Sequence, residues 1–533
     1  MPAGEDATLP AMKNVRSARL TALVLVLSLV LGVTPAGSYP LDGYAETGLT
    51  RLEHQRLVQE GKLSGSKRPA GELLPLSRVD LRLTRHSRFK VPRSDPALTA
   101  QLKRLLGPEA DRYGVALLDL SDLEKPVYAD WNGDVKQNPG SVGKIVVALA
   151  IFQALADAHP KDIEARKRVL REAIITADVY SVYDHHTVRF FNLATRGLTR
   201  RPIQKGDRAS LWTYLDWMMS PSSNSAAGML QKHLILLKHF GKRYPVSPAE
   251  EAAFFENTPR KERSRIFLEA ITEPVTRNGL DVDALRQGSF FTHEGKKRID
   301  GTSSYATPRE LLRYMLKLEQ GKLVDEWSSR EIKRLLYITE RRIRYGSSGA
   351  LRDSAVYFKS GSLYSCQPEP GFQCRKYHGN KRNYMNSIAI IETPAGQDRL
   401  YYMVAVLSNV LRKNSAQDHR DLARAVHGLL LSRHPAKPTP PGVRPASATF
   451  GEGFIGYAAE RAEMRLKLEV QEALVALGYD IGEIDGRIGP NTQKAIRSYQ
   501  KEQGLAVNGA LSDSLLAHMR RTGQARGLIR PDN

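Results

Sequence analysis

The chain has 533 residues, and 79 Lys and Arg against 57 Asp and Glu give it a formal net charge of +22. This length allows one large domain, one small domain and additional N-terminal material. No aromatic-plus-basic nucleic-acid motif accompanies the basic charge, so we expect no nucleic-acid partner. A basic surface of this kind instead attracts anionic polymers and carboxylated peptides.

A basic segment followed by an apolar run lies close to the start of the chain. Lys13, Arg16 and Arg19 precede the apolar residues 20–33, and small residues follow. This pattern predicts a signal peptide over residues 1–38 and a periplasmic or otherwise extracytoplasmic location. The run is shorter than the roughly 20 residues of a membrane-spanning helix. Membrane contact is therefore expected only if the signal segment stays uncleaved.

Residues 39–96 form an N-terminal extension with weaker patterns. One helix-like stretch covers residues 49–57, and a mixed apolar and basic segment covers residues 73–89. The apolar residues in both stretches predict packing against a larger domain or against a partner. The sequence assigns no function to this extension.

Three short motifs follow one another in the middle of the chain. They are S-x-x-K at residues 141–144, S-x-N at residues 222–224 and K-S-G at residues 359–361. A further S-x-x-K at residues 64–67 lies in a Gly-, Lys- and Arg-rich stretch without a helix pattern, and we interpret it as chance. The first motif instead opens the apolar run 145–155, which predicts a buried helix.

The S-x-x-K motif has the chemistry of an activated nucleophile. A serine hydroxyl needs an adjacent base to react. Positions i and i+3 share one face of a helix, so Lys144 is expected to lie beside the Ser141 hydroxyl. Burial and neighbouring positive charge lower the pKa of a lysine and allow it to accept the proton. At the helix N-terminus, the dipole favours the negative charge that develops on Ser141.

Together, the motifs and their order resemble the penicillin-recognising serine enzymes, and class A β-lactamases most of all. The resemblance covers residues 97–433 and includes SSNSAAGML at 222–230, which is similar to the S-[DS]-N-[ST]-A-A-N-x-L of that family. It implies an α/β (α+β) fold, with a five-stranded antiparallel sheet flanked by helices and a helical subdomain that holds Ser141 and Ser222. The implied first hairpin, last two strands and C-terminal helix fall at 114–120 with 126–130, at 387–393 with 399–410, and at 418–432.

The resemblance also implies a role for each remaining motif residue. Ser222 passes a proton to the leaving nitrogen, and Asn224 holds the substrate amide. Lys359 supplies positive charge near Ser222 and near the substrate carboxylate. The Ser360 hydroxyl binds that carboxylate, and Gly361 lets the substrate backbone lie close to the strand.

The segment after the third motif is expected to complete the site. The backbone N–H groups of Ser141 and Ser362 are expected to form the oxyanion hole. Cys366 and Cys374 follow in one Gly- and Pro-containing loop. An exported protein favours a disulfide between them, which would stiffen a hairpin beside the site, and two free thiols are the alternative.

The family pattern breaks at the group that deacylates class A β-lactamases. Those enzymes use a glutamate in an E-P-x-L-N-like loop between the second and third motifs. Glu273 begins such a pattern without completing it, and Glu294 lacks the loop signature. Gly228 stands where the family has an asparagine that braces this loop. The sequence therefore supports acylation better than deacylation, with Glu294 and Glu273 as weak candidates for the missing base.

A second module follows a linker. Residues 434–450 are rich in Pro, Ala and Thr, a composition typical of a semi-extended linker. Residues 451–533 form the module, and within it residues 470–519 resemble the three-helix peptidoglycan-binding domain. Apolar residues at helical spacing, cut by Gly and Asp-Gly turns, predict three short helices around a small core. The resemblance implies peptidoglycan as a partner.

Three hypotheses of function follow. The leading one is an exported serine acyl-enzyme that acts on the D-Ala-D-Ala peptides of peptidoglycan as a carboxypeptidase, endopeptidase or transpeptidase. The others are a class A-like β-lactamase with a displaced glutamate and a non-catalytic peptidoglycan-binding envelope protein. β-Lactams are expected as substrates or as inhibitors. No cofactor and no metal are expected, because His185 and His186 lack the partners of a metal site and are interpreted as part of a polar loop.

Overall fold

The computed structural model describes residues 42–182, 184–397, 399–435, 466–482, 484 and 488–529. The predicted signal peptide and nearly all of the predicted linker lie outside these residues. The strands are β1 (Tyr113–Asp119), β2 (Val127–Trp131), β3 (Ile174–Thr176), β4 (Val188–Phe191), β5 (Leu198–Arg201), β6 (Arg208–Ser210), β7 (Leu285–Arg286), β8 (Tyr305–Ala306), β9 (Ala355–Ser365), β10 (Arg382–Thr393) and β11 (Leu400–Asn409). The α-helices are α1 (Gly43–Thr47), α2 (Thr50–Gln59), α3 (Pro96–Leu106), α4 (Lys144–Ala158), α5 (Ile163–Glu172), α6 (Leu211–Met219), α7 (Asn224–Phe240), α8 (Pro248–Asn257), α9 (Arg260–Arg277), α10 (His293–Arg298), α11 (Pro308–Glu319), α12 (Glu326–Tyr337), α13 (Ser415–Arg433), α14 (466–476), α15 (Pro490–Glu502) and α16 (Asp513–Ala525).

A five-stranded antiparallel sheet forms the centre of the large domain, in the order β2-β1-β11-β10-β9. It joins two distant parts of the chain, because Tyr113 at the start of β1 lies opposite Ser408 in β11. The third motif lies on the edge strand β9, where Lys359 pairs with Ile388 of β10. The expected α/β fold with a five-stranded antiparallel sheet is confirmed.

Helices cover both faces of this sheet. Leu98 and Leu102 of α3 pack with Leu422 and Val426 of α13 on one face. Helices α11 and α12 contact the strands on the other face. All seven residues of β1 are buried, as expected for a strand that is covered on both sides. The strand that carries the third motif is therefore fixed to a core with two faces.

The helix that follows the first motif crosses the core of the helical subdomain. Helix α4 packs against α6, α7 and α9, and all of it except Asp157 is buried. Within the described residues, Gly140–Ala158 is the one helical segment long and apolar enough to cross a membrane, and 78% of that window is buried inside the protein. Such burial is typical of a core helix. The segment therefore gives a rigid mount to the residues at its start.

Residues 42–96 pack against the large domain. The buried Arg51 side chain donates to both carboxylate oxygens of Asp216, at 2.5 and 2.6 Å, and to Ile338 O at 2.5 Å. Leu52 is buried in the same apolar core as α4. Asp216 lies on α6, which leads directly to the second motif. The N-terminal extension thus supports the part of the subdomain that carries this motif.

Helices α14, α15 and α16 enclose a separate small core near the C-terminus. The side chains that meet there include Val470, Leu474, Ile496, Tyr499 and Met519. The three short helices predicted from the apolar spacing are confirmed.

A cluster of buried charges ties helices to the sheet. Lys333 of α12 is fully buried, and its Nζ lies 2.6 Å from Glu319 Oε1 and 2.9 Å from Glu392 Oε1. Arg82 from the N-terminal extension lies 3.0 Å from the other carboxylate oxygen of Glu392. Burial of a charge is costly unless the charge is paired. The cluster therefore depends on Lys333, which is shared by two carboxylates.

We predict that Lys333→Met lowers the free energy of unfolding by about 3–5 kcal/mol, because two buried carboxylates lose their shared cation. Chemical denaturation followed by circular dichroism measures this change. Lys161→Met, at an exposed lysine, is the matched control and is expected to change stability by less than about 0.5 kcal/mol. Equal denaturation midpoints for the two variants would contradict the prediction.

Candidate active site

The first motif forms a tight turn at the start of the core helix. Ser141 lies in the 3-10 turn Gly140–Gly143, and helix α4 continues from Lys144. Gly140 has a φ of +52°, a value that favours glycine. The Nζ of Lys144 lies 3.1 Å from Ser141 Oγ. The i,i+3 spacing therefore places the amine beside the hydroxyl, in the geometry expected of a base and its nucleophile.

The second motif brings another hydroxyl to the same amine. Ser222 has a φ of +65°, in the left-handed region that few non-glycine residues adopt. This backbone points its carbonyl at Lys144 Nζ, at 2.6 Å, and Asn224 Oδ1 lies 2.8 Å from the same atom. Ser222 Oγ accepts hydrogen bonds from Lys144 at 3.3 Å and from Lys359 at 2.7 Å. Two lysine amines thus converge on one serine hydroxyl.

Burial shifts the protonation of both lysines. It lowers the pKa of Lys144 to about 7, with the Asp184 carboxylate acting against the shift and Arg344 adding to it. Burial also holds the pKa of Lys359 well below its usual range, and the positive charges of Lys144 and Arg344 lower it further. Near neutral pH, Lys144 can therefore exist as the free amine that accepts a proton.

Arg344 is a site residue that the sequence analysis missed. Its guanidinium donates to Ser360 Oγ at 2.9 Å, to Ser362 Oγ at 3.0 Å and to Tyr377 OH at 3.2 Å. A guanidinium stays charged, whereas the charged form of Lys359 is disfavoured in this site. Arg344 therefore supplies constant positive charge where the Ser360 hydroxyl was expected to bind a carboxylate. No motif surrounds Arg344 in the sequence, and only the fold brings it to β9.

Close backbone packing joins the third motif to the nucleophile. A Cβ atom on Gly361 would lie 2.5 Å from Pro139 O and 2.5 Å from Ser141 N, too close for any side chain. A Cβ atom on Gly140 would lie 3.3 Å from Ser362 N. The space beside Gly361, which was expected to admit the substrate backbone, is filled by the nucleophile turn. The N–H groups of Ser141 and Ser362, expected as the oxyanion hole, belong to these two adjoining segments.

The cysteine loop forms one wall of this region. Cys366 and Cys374 are joined by a disulfide, as expected. The loop continues to Tyr377, whose hydroxyl contacts Arg344. The Glu369 carboxylate accepts two hydrogen bonds from the side chain of Arg412, which follows β11, at 2.9 and 2.8 Å. The disulfide therefore stiffens the segment that presents the Tyr377 hydroxyl.

The two candidates for a deacylation base are held in ion pairs away from the two serines. Glu273 on α9 lies 2.6 Å from Lys238 Nζ. Glu294 on α10 pairs with Lys297 and Arg298 of the same helix, and these hydrogen bonds hold its pKa well below its usual range. Among the described residues, no carboxylate is hydrogen-bonded to Ser141 or to Lys144. The structure therefore brings together the acylation residues and brings neither glutamate to them.

An aromatic ring lies beside the base lysine. The Phe291 ring centre is 4.8 Å from Lys144 Nζ, and the Phe291 N–H donates to Gln231 Oε1 at 2.9 Å. A Cβ atom on Gly228 would lie 2.4 Å from the backbone oxygen of Tyr180, so an asparagine does not fit at this position. Tyr180 and Thr292 therefore fill the space that a side chain at position 228 would need.

The small C-terminal domain carries a basic face. Helix α15 presents Lys494, Arg497 and Lys501 to a shallow cavity of about 440 Å³, which Gln493 and Val507 also line. None of these three cations makes an ion pair with another residue in the part of the chain that the structure describes. The face is therefore available to an anionic ligand.

Comparisons with known proteins agree with this architecture. Residues 97–430 match the model of the beta-lactamase enzyme family, and residues 468–519 match that of the peptidoglycan binding domain. No curated protein matches the chain.

Several solved structures are similar at low identity. The beta-lactamase from Sphaerobacter thermophilus is 14% identical, with a TM-score of 0.39, over 62% of this chain and 97% of that one. PBP-A is 14% identical, with a TM-score of 0.40, over 64% and 100% of the two chains. A class A beta-lactamase from Bacteroides cellulosilyticus is 15% identical, with a TM-score of 0.40, over 64% and 100%. The family match spans more than half of the sequence, and the chain therefore belongs to the beta-lactamase enzyme family.

Proposed function

We propose that the protein is an exported serine acyl-enzyme that acts on D-Ala-D-Ala peptides of peptidoglycan. The observation that carries this proposal is a complete set of acylation groups in which no carboxylate of the described residues is bonded to the Lys144 amine or to the hydroxyls of Ser141 and Ser222. Lys144 contacts Ser141, Ser222 and Asn224, and within the described residues no acidic side chain bonds to the Lys144 amine or to either serine hydroxyl. These groups suit the formation of an acyl-serine ester that is attacked only slowly by water or by another amine. They suit rapid hydrolysis of that ester less well.

The geometry supports a specific sequence of proton transfers. Ser141 Oγ attacks the peptide carbonyl while its proton passes to the free amine of Lys144. The N–H groups of Ser141 and Ser362 stabilise the oxyanion that forms. Ser222 then gives its proton to the leaving nitrogen and is reprotonated by Lys144, 3.3 Å away. The C–N bond breaks, the terminal amino acid leaves, and an acyl-serine ester remains.

The positive charge beside β9 supports a substrate with a free carboxylate. The Arg344 guanidinium already holds the hydroxyls of Ser360 and Ser362 through hydrogen bonds. A carboxylate at this place can receive charge-assisted hydrogen bonds from the guanidinium and the hydroxyls. Such a carboxylate also raises the fraction of charged Lys359. D-Ala-D-Ala peptides and penicillins both carry a carboxylate next to the bond that breaks.

The C-terminal domain supports peptidoglycan as the partner. Its sequence matches the family model of the peptidoglycan binding domain. Its basic face on α15 can attract the carboxylated peptides of the wall. The disulfide between Cys366 and Cys374 suits an oxidising compartment, which supports the proposed export. The non-catalytic alternative is less favoured, because each group needed for acylation is present and in contact.

A β-lactamase is the second candidate, favoured by the family match itself. This activity needs a base that activates water against the acyl-serine. Glu294 could serve only after leaving its pairs with Lys297 and Arg298, and Glu273 only after leaving Lys238. The lifetime of a penicillin adduct distinguishes this candidate from the peptidase.

We predict that benzylpenicillin adds one molecule to the wild-type protein and that the adduct lasts for hours. Intact mass spectrometry over time measures both quantities. Ser141→Ala is expected to show no adduct, because the nucleophile is removed. A transient adduct with consumption of the antibiotic would favour the β-lactamase. No adduct, together with no cleavage of a D-Ala-D-Ala peptide, would contradict both candidates.

Arg344→Ala is expected to lower the second-order rate of acylation by about 30-fold, because charge-assisted hydrogen bonds to the carboxylate are lost. The rate should be measured with benzylpenicillin and with its methyl ester. The ester is expected to lose much less rate than the acid does, since it carries no charge for Arg344 to bind. Arg375→Ala, at an exposed arginine of the neighbouring loop, is the matched control. Equal losses with acid and ester would contradict the assignment.

Replacement of Lys494, Arg497 and Lys501 by alanine is expected to weaken binding to insoluble peptidoglycan by about 10-fold, because the ligand loses its cationic contacts. Co-sedimentation measures this in the full chain with Ser141→Ala, which prevents covalent capture. Arg521→Ala with Arg526→Ala removes two other cations of the same domain and is expected to bind as the parent does. Equal binding by both sets of variants would contradict the placement of the site.

A further inference from the structure

A buried carboxylate lies behind the second motif and has no part in the steps above. The side chain of Asp184 is 0% exposed. Its Oδ2 accepts hydrogen bonds from Ser223 Oγ at 2.8 Å, from the Asn224 N–H at 2.6 Å and from the Ser225 N–H at 3.0 Å. All three donors belong to the turn that begins α7. One oxygen atom therefore binds two of the three residues of the second motif and the residue that follows them.

The other oxygen of the same carboxylate is also occupied. Asp184 Oδ1 lies 2.5 Å from His186 Nδ1 and accepts from the His186 backbone N–H at 3.1 Å. His185, His186 and Asp184 have potential metal-binding atoms within 4.8 Å of one another. The carboxylate, however, already accepts hydrogen bonds on both oxygens. The His186 imidazole therefore orients the Asp184 carboxylate, and the carboxylate in turn holds the start of α7.

The second motif needs such an anchor for two reasons. The first N–H groups of a helix have no partners within the helix and attract a negative charge. Ser222 also lies in the left-handed region, which persists only where neighbouring structure holds it. In this chain, the middle residue of the motif is Ser223, which carries no charge. The carboxylate comes instead from a loop about 40 residues earlier, as the sequence separation of Asp184 and Asn224 shows.

We propose that Asp184 is a positioning residue for acylation, which fixes the S-x-N turn so that Ser222 and Asn224 meet Lys144. This inference rests on the proposed acyl-serine chemistry. Asp184 contacts neither substrate nor the reacting atoms in this assignment. It acts through the two motif residues that do.

The effect of the Asp184 charge on the pKa of Lys144 has a sign that can be measured. The groups whose charge acts on Lys144 are Asp184 and Arg344, together with Lys359 and His186, whose pKa values are both lowered by burial. Burial lowers the pKa of Lys144 to about 7, and Asp184 opposes this shift. Loss of the negative charge lowers that pKa further, so the free amine exists at lower pH. The acid limb of the acylation profile should therefore move to lower pH when Asp184 is neutralised.

The test uses the full chain and measures the saturating rate of acylation by benzylpenicillin from about pH 5.5 to about pH 9. For Asp184→Asn, the rate should fall about 100-fold, because the turn loses its alignment. The acid limb should move down in pH, whereas the apparent affinity for the antibiotic should change little. Asp184→Glu keeps the charge but displaces it, so it should lower the rate and leave the acid limb in place.

A second-site rescue separates positioning from general loss of structure. In Asp184→Asn with Ser223→Asp, the motif itself carries the carboxylate, because an aspartate caps a helix as well as a serine does. The amide introduced at position 184 can then donate to the new carboxylate, and at least part of the acylation rate should return. Asp162→Asn is the control, since the Asp162 carboxylate also accepts a hydrogen bond from the first turn of a helix, as the N-cap residue of α5. It should leave the rate and the pH profile unchanged.

Each outcome has a distinct meaning. A wild-type protein that is not acylated would overturn the proposed function and this inference with it. If the wild type is acylated, and Asp184→Asn shows the same rate and the same acid limb, only this inference would be overturned. If Asp184→Asn does not fold, the acylation rates of Asp184→Glu and of the double variant test the inference instead. A wild-type rate in Asp184→Glu would overturn the inference.

Discussion

Burial of a lysine without a bonded carboxylate is the constraint on which the rest of the site depends. Lys144 is 0% exposed, and its amine is hydrogen-bonded to oxygen atoms of Ser141, Ser222 and Asn224. The charged amine loses its hydration there and, among the described residues, gains no directly bonded anion in return. The environment therefore favours a neutral amine near neutral pH, which is the form that a proton acceptor needs.

The fold holds this unfavourable arrangement from several sides. The nucleophile turn lies at the N-terminus of a buried helix. Because residue 361 is a glycine, the backbone of β9 can contact the backbone of that turn. Ser222 stays in the left-handed region because α6, α7 and Asp184 fix the residues around it. Arg51 anchors α6 through Asp216, so even the N-terminal extension contributes to the position of the second motif. Rigid support of this kind lets polar groups keep catalytic geometry.

The order of the three motifs was sufficient to predict which motif residues meet, and the resemblance that they carry implied the five-stranded sheet. Each motif carries its chemistry in three or four adjacent residues. Arg344 and Asp184 could not be predicted in this way, because each acts on a motif that lies elsewhere in the sequence. The role of Arg344 depends on the contact of the turn Arg344–Ser347 with β9, and that of Asp184 depends on the contact of its loop with the start of α7. Such contacts follow from tertiary packing and leave no periodic signal.

The same packing is the physical basis for the slow deacylation that the proposed function includes. Deacylation needs a water molecule that is polarised by a carboxylate next to the ester. Here the Phe291 ring lies 4.8 Å from the Lys144 amine, and Thr292 and Tyr180 fill the space that a side chain at 228 would need. An apolar ring beside the amine adds to its burial but cannot activate water. The ring beside Lys144 thus supplies no base for deacylation, and under the proposed function this is the reason to expect a long-lived acyl-serine.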